Sequence, residues 1–246
     1  ARVDLLSLEY STDRVARSVV GEVLPEVVEP GEVNRLQYSL RAALGPGDTG
    51  FDGLRIRAPI ELDQERLEQV SLNVNGITVP STVQLESDSF SVLFPGDPVR
   101  FTSRTDTTTI DLTFDARVFL HGTRFSGEVF DSVSDDVAQD VLPGDASPVS
   151  DTNDLQVAWD LNGELITAVE VEPATLTPNG DGVNEVMRIS YSLLQLLVPS
   201  QVKLEIFDLA GRAVFTDSEL RSTGRYSITW DGRTGDQLVP PGSYLY

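Results

Sequence analysis

The chain has 246 residues, of which 40% are apolar, with 39 acidic residues against 18 basic, a net charge of −21, no cysteine and one histidine. The apolar fraction is too high for a disordered chain; the missing cysteines exclude disulfides, thiolate metal sites and cysteine nucleophiles, and a lone histidine excludes a multi-histidine centre. The acidic surface repels nucleic-acid phosphates and anionic lipid heads and favours solubility, leaving proteins, glycans and divalent cations as partners.

Leu6, Leu8 and Tyr10 alternate as an opening strand, and residues 1–30 read as an N-terminal strand and arm, extended over 20–30. Val15 and Val19 stand four apart, the only helical signal in 12–20, against crowding by β-branched residues. From there period-2 alternation takes over, the signature of half-buried strands in antiparallel sheets. It runs through Leu36, Tyr38, Leu40, Ala42 and Leu44, then through Leu54, Ile56, Ala58, Ile60 and Leu62. A short helical turn fits residues 62–70. Val70, Leu72 and Val74 lead into Asn75-Gly76, then Ile77 and Val79. Asn-Gly between alternating runs is a strong hairpin signal, because both residues tolerate positive φ.

The longest alternation is Ile110, Leu112, Phe114, Ala116, Val118 and Leu120, after which His121 marks a strand end. Residues 131–154 read as a long acidic loop containing Asp131, Asp135, Asp136 and Asp140, with turns at Pro143-Gly144 and Ser147-Pro148. Leu155, Val157, Trp159 and Leu161 form a further strand ending in Asn162-Gly163. Many short strands between turn signals predict an all-β chain of two tandem antiparallel β-sandwiches. The boundaries are 31–170 for the larger sandwich and 171–246 for the second.

Catalytic constellations do not emerge from the spacing. There is no G-x-S-x-G elbow, no P-loop and no G-x-G-x-x-G after a strand. The aspartates of 131–140 read as a solvated face, since nothing positions them as an acid–base pair. The expectation is a protein that is not an enzyme. One loop offers oxygen ligands: Asn179, Asp181, Asn184 and Glu185 surround two glycines, a donor set that suits Ca²⁺. It lacks the full D-x-[DN]-x-[DN]-G pattern, so a glycine turn whose side chains bond backbone amides is the competing expectation. The longest apolar run, residues 193–198, is too short to cross a bilayer.

Four segments of the C-terminal third carry a resemblance. They are Thr177-Pro-Asn-Gly-Asp-Gly-Val-Asn184, V-K-L-E-I-F-D-L-A-G-R-A-V over 202–214, G-R-Y-S-I-T-W-D-G over 224–232, and V-P-P-G-S-Y-L-Y over 239–246. In this order they resemble the immunoglobulin-like domain of the flagellar hook-capping protein and the gliding-motility or type B sorting modules of type IX secretion. The residues support such a fold. Val202, Leu204 and Ile206 alternate as a core strand; Asp208 and Gly211 make a turn; Tyr226, Ile228 and Trp230 form an opposing strand with Trp230 in the core. By the same comparison the sequence stops in mid-strand at Tyr246, so that either residues follow or another chain completes the edge, a template for strand addition.

These readings predict a periplasmic or extracellular, non-catalytic subunit that bridges or clamps proteins of a larger envelope or membrane complex, without a membrane span or cofactor of its own unless Ca²⁺ binds. Two rivals stand beside it. One is a carbohydrate-binding or adhesive module with Trp159, Tyr38 or Tyr244 as stacking platforms. The other is the ancillary C-terminal part of a secreted hydrolase, with residues 171–246 as a secretion signal.

Overall fold

The computed structural model describes residues 14–94, 99, 107–150, 152–160 and 163–246. The strand expected at Leu6–Tyr10 therefore lies outside the described residues, as do Leu161 and Asn162. The fold is all-β. Within the described residues it divides into two compact units, one of 14–28, 34–116 and 122–158, the other of 29–33, 117–121 and 159–246. The cut expected at 170/171 falls inside a strand of the second unit.

In chain order the first unit contains β1 (Ser18–Leu24), β2 (Val33–Ala43), β3 (Gly53–Arg57), β4 (Ile60–Leu62), β5 (Ser71–Val74), β6 (Ile77–Val79) and β7 (Thr82–Leu85). It continues with β8 (Ser89–Leu93), β9 (Thr107–Val118), β10 (Thr123–Arg124), β11 (Ser126–Asp131), β12 (Ser134–Asp140), β13 (Leu142–Pro143) and β14 (Gln156–Val157). The first residue of β2 and the end of β9 belong to the second unit. One sheet runs β13-β1-β2-β9-β5-β6, with β4 on β9; a second runs β12-β11-β3-β8-β7. Their ladders β1–β2, β11–β12, β3–β11, β3–β8, β5–β6, β5–β9 and β7–β8 are antiparallel, and β1–β13 is parallel.

Alternation places the core between the two sheets. Leu36, Tyr38, Leu40 and Ala42 of β2 are buried with Ile110, Leu112, Phe114 and Ala116 of β9, facing Leu54 and Ile56 of β3 and Phe90 and Val92 of β8. Phe114 meets Phe90 edge-on at 5.2 Å and Phe125 at 6.3 Å, so aromatic rings join the layers. Tyr38 reaches right across: a Cβ on Gly127 of β11 would lie 2.1 Å from its hydroxyl, so only glycine fits opposite it. The Asn75-Gly76 hairpin forms as expected, with φ of 51° and 79°. The turn expected in 62–70 is a 3-10 segment, Gln64–Gln69.

Three expectations need correction here. Residues 20–30 are no arm: β1 lies inside the larger sheet, between β13 and β2. Its doubled apolar residues hide the alternation because both faces are covered. Val19 and Val23 point to the core, while Val20 and Glu22 lie on the side overlaid by residues 144–153. Nor is 131–154 one long loop, since β12 pairs with β11 as a hairpin and β13 joins β1. The alternation from Leu54 to Leu62 breaks at Ala58-Pro59, after which β4 leaves β3's sheet for β9.

The second unit contains β15 (Ile166–Glu172), β16 (Met187–Leu193), β17 (Ser200–Asp208), β18 (Ala213–Arg221), β19 (Gly224–Trp230), β20 (Arg233–Thr234), β21 (Gln237–Leu238) and β22 (Tyr244–Leu245). Two three-stranded sheets, β15-β16-β19 and β18-β17-β22, form an antiparallel sandwich in the immunoglobulin-like manner expected. Its core is thin. Ile189, Ile206, Val214 and Trp230 make one buried cluster; Tyr191, Leu193 and Ile228 make another.

Candidate functional site

The second unit holds the four sequence segments that carry the resemblance, and each has a local physical reason. Asp208 Oδ1 accepts the amides of Ala210 at 3.0 Å and Arg212 at 2.9 Å, and Gly211 sits at φ 80°, closing the β17–β18 turn. Those amides, with the Arg212 guanidinium, hold the Asp208 carboxyl below the usual carboxylate range. Trp230 is buried as expected; its Nε1 donates to the Arg233 carbonyl at 3.0 Å. Arg221 closes one end of the sandwich. It is 6% exposed, lies over the Tyr226 ring at 4.8 Å and the Tyr191 ring at 5.6 Å, and pairs with Asp217 at 2.6 Å.

The loop 177–185 is wound on itself. Asp181 Oδ1 accepts the Val183 amide at 2.7 Å, Asn179 Oδ1 accepts the Asp181 amide at 2.9 Å, and Glu185 Oε1 accepts the Gly182 amide at 3.1 Å. Asn179 Nδ2 also donates to Asp181 Oδ2 at 3.0 Å. The Val183 amide and the Asn179 side chain hold the Asp181 carboxyl below its ordinary value. Asn184 sits at φ 53°, and its carbonyl accepts the Thr177 amide at 2.8 Å. The four candidate Ca²⁺ ligands are thus neighbours in one loop, and three of them spend side-chain oxygens on backbone amides. Among the described residues no three His, Cys, Asp or Glu side chains come together as a metal would require.

A cavity of about 860 Å³ opens between the two sheets of this unit. Leu176, Met187, Ile206, Trp230, Val239 and Tyr244 are among its lining residues, and no lining side chain is charged. Sequence reasoning missed it. The half-buried Val171, Leu176, Met187 and Val239 were the available signal, apolar side chains that no neighbouring strand covers fully.

The proposed stacking platforms are not platforms. Tyr38 is fully buried, its hydroxyl lacks a partner, and burial raises its pKa. Trp159 is buried, with its ring edge-on to His121 at 5.7 Å. Tyr244 is half-buried, packs on Trp230 at 5.6 Å and donates its hydroxyl to the Pro240 carbonyl. All three fail because alternation marks which face a residue takes, while exposure depends on what the opposite layer supplies. His121 is equally local: its Nδ1 lies 2.8 Å from the Trp159 carbonyl.

In the first unit the structure reveals a buried carboxylate that composition concealed. Glu22 is fully enclosed. It accepts the amides of Ala146 at 3.1 Å and Ser147 at 2.5 Å, the Thr152 hydroxyl at 3.0 Å and the Asn153 amide at 3.4 Å. Burial works to raise its pKa. Hydrogen bonds from Ser150, Ser147, Thr152 and Ala146 outweigh that and hold it below its ordinary value. One carboxylate therefore fastens residues 146–153 over β1. Asp131 is buried and accepts the Val133 amide at 3.1 Å, while Asp140 is exposed. The side chains of Asp135 and Asp136 lie outside the described residues.

Comparison with known proteins bears on the second unit. Residues 169–246 match the family of CHU_C type IX secretion signal domains. Of the two branches of the resemblance, this match supports the sorting-module branch. This marks a secreted, extracellular protein, and among the described residues no helix is long and apolar enough to cross a membrane. No curated protein matches the chain. Among solved structures the chain is similar to the N-terminal domain of a Streptococcus gordonii adhesin, with TM-score 0.40 and 10% identity over 60% of this chain and 33% of that one. It is also similar to the T6 backbone pilin of Streptococcus pyogenes, with TM-score 0.35 and 9% identity over 93% and 51%. A DUF4466 family protein from Parabacteroides merdae gives TM-score 0.32 and 8% identity over 79% and 76%. The chain spans a third of the adhesin and half of the pilin, and likenesses this loose assign it no role.

Proposed function

We propose that this chain is a secreted, non-catalytic protein in which residues 169–246 act as the export signal and the sandwich of 14–28, 34–116 and 122–158 is the passenger that engages other proteins at the cell surface. One observation carries the reading: the secretion-signal match falls on a unit with its own sheets and its own core. A signal read by export machinery must present a folded shape whatever passenger precedes it, and a separately cored unit does so. Further support comes from the passenger's side chains. Its buried carboxylates are held in structural bonds: Glu22 accepts from backbone and hydroxyl groups of residues 146, 147, 152 and 153, Asp52 accepts from the Ser132 amide at 2.7 Å and the Ser132 hydroxyl at 2.6 Å, and Asp115 pairs with Arg35 at 3.1 Å and Arg66 at 3.3 Å. Such bonds fasten loops and strands and occupy the acceptor oxygens of these carboxylates. The partners are other envelope proteins, bridged or clamped through loops and sheet edges.

The test is a deletion in a bacterium that has type IX secretion. The full chain reaches the cell exterior, and the chain lacking 169–246 stays in the periplasm at comparable abundance. Equal export of both would refute the signal role. Mild-detergent isolation of the exported protein is expected to bring stoichiometric protein partners; purified protein that turns over a substrate would refute the non-catalytic role.

A further inference from the structure

A second cavity, of about 690 Å³, opens in the first unit. It lies at the corner where Ala58-Pro59 takes the chain from β3's sheet to β9, and the β7–β8 turn and the start of β10–β11 complete its wall. Its size falls within the range of about 300–1,000 Å³ that small-molecule sites occupy. Arg57 stands directly opposite Ser126 of β11 on one side and Ser89 of β8 on the other, so the three form a row across the sheet. Most of the charge in this wall is already matched. Arg57 pairs with Asp88 at 3.3 Å, while Glu86 pairs with Arg55 at 3.5 Å and accepts the Ser89 hydroxyl at 3.0 Å. Two lining charges are unmatched. Arg124 and Glu61 are exposed, and among the described residues neither makes an ion pair or a side-chain hydrogen bond. Among the described cations only Arg17 and Arg188 also lack an ion pair. In a chain with 39 acidic residues, an arginine left without a carboxylate inside a cavity is the exception.

We infer that this cleft binds an acidic sugar, a pyranose ring carrying a carboxylate, as a unit of a surface glycan. Three features select that ligand. The Arg124 guanidinium offers a planar pair of donors that matches a carboxylate, and none of the chain's own carboxylates uses it. Glu61 and the hydroxyls of Ser87 and Ser126 supply acceptors and donors as separate points, and a sugar hydroxyl, which both donates and accepts, fits such a mixed set. Pro59, Ile60 and Leu85 leave apolar surface for the C–H face of the ring, with Leu85 48% exposed. The one lining aromatic, Phe90, is buried, so stacking adds nothing and affinity is modest. An acidic peptide fits less well, because Glu61, Glu86 and Asp88 repel any acidic side chain beyond the one that Arg124 holds. The net charge of −21 does not prevent binding, since exposed charges more than about 8 Å away are largely screened at physiological ionic strength. This adds a glycan ligand to the passenger and rests on neither its protein partners nor the export role.

The experiment titrates the purified full chain with a galacturonate trisaccharide and follows backbone amide signals by two-dimensional NMR. Signals of 57–62, 85–90 and 124–126 are expected to shift together and to saturate. The methyl ester of the same trisaccharide keeps the rings and loses the charge, and it binds at least tenfold more weakly. Arg124→Gln, at an exposed position without an ion pair, leaves the fold intact by circular dichroism. It weakens binding of the acid at least tenfold and leaves that of the ester within twofold, a split that a merely structural role for Arg124 would not produce. The inference is overturned if the trisaccharide shifts no signal in these segments, if acid and ester bind alike, or if Arg124→Gln leaves the affinity for the acid unchanged. A capped Gly-Asp-Gly-Asp-Gly peptide that binds the same segments as tightly would assign the cleft to acidic polypeptides and overturn the sugar.

Discussion

The two units share strand content and differ in how they close. In the first, nearly every alternating side chain meets a partner from the facing layer: Leu36, Tyr38, Leu54, Ile56 and Phe114 are all fully buried. In the second, Val171, Leu176, Met187, Leu204 and Phe215 remain half-buried around two small clusters. Burial scales with the surface that facing layers remove from water, and three-stranded sheets remove less than five- and seven-stranded ones. Stability therefore concentrates in the first unit, and accessible apolar surface in the second.

The largest expected effect tests that asymmetry at its stronger end. Phe114→Ala removes a ring packed on Phe90 and Phe125 and is expected to cost about 3–5 kcal/mol. In calorimetry the transition of the first unit drops and that of the second stays. A single transition moving as one would break the comparison. Ile206→Ala in the second unit, beside the cavity, is expected to cost about 2 kcal/mol, the low end for such a deletion, because its surroundings are already open.

Glu22→Ala probes the first unit from its outer face. The donors of Ala146, Ser147, Ser150, Thr152 and Asn153 lose a charged acceptor, and the expected loss is about 2–3 kcal/mol. Fast hydrogen exchange should appear in 146–153 while β9 stays protected. The pH dependence follows in sign. The folded pKa of Glu22 is depressed, so its contribution is complete above the unfolded carboxylate value and is lost as pH falls through the lower folded value. Wild type should lose stability over that acidic interval, and Glu22→Ala should show a shallower fall. Identical slopes for the two proteins would contradict the latch.

The smallest effect lies in the loop 177–185. Asp181→Asn keeps an oxygen for the Val183 amide and should lower the melting temperature of the second unit only slightly. Added Ca²⁺ should leave that temperature unchanged, since the loop's oxygens already serve its own amides. A rise of several degrees with Ca²⁺ that Asp181→Asn abolishes would restore the metal reading.

Much of the fold was legible because alternation needs only one covered face. The strands around Tyr38, Phe114, Leu204 and Ile228 follow the pattern, as does the Asn75-Gly76 turn. Where both faces are covered the pattern fails: β1 reads as an arm because Val20 and Glu22 lie beneath residues 144–153. The four motifs of the second unit rest on turn chemistry local to Asp181, Asp208 and Gly211, which sequence expresses directly. The cavity and the Glu22 latch depend on residues more than a hundred positions apart or on the pairing of whole sheets, which local spacing does not encode.

The central claim is that the second unit is an export signal that works as a folded module. A direct measurement joins residues 159–246 to a reporter already directed to the periplasm of a type IX-secreting bacterium, and quantifies reporter on the cell surface and in the medium. The account predicts that the fusion is exported and that the reporter alone is retained, with Trp230→Ala in the fusion restoring retention by opening the module's core. Retention of the intact fusion, with its C-terminal unit shown to be folded, would contradict it.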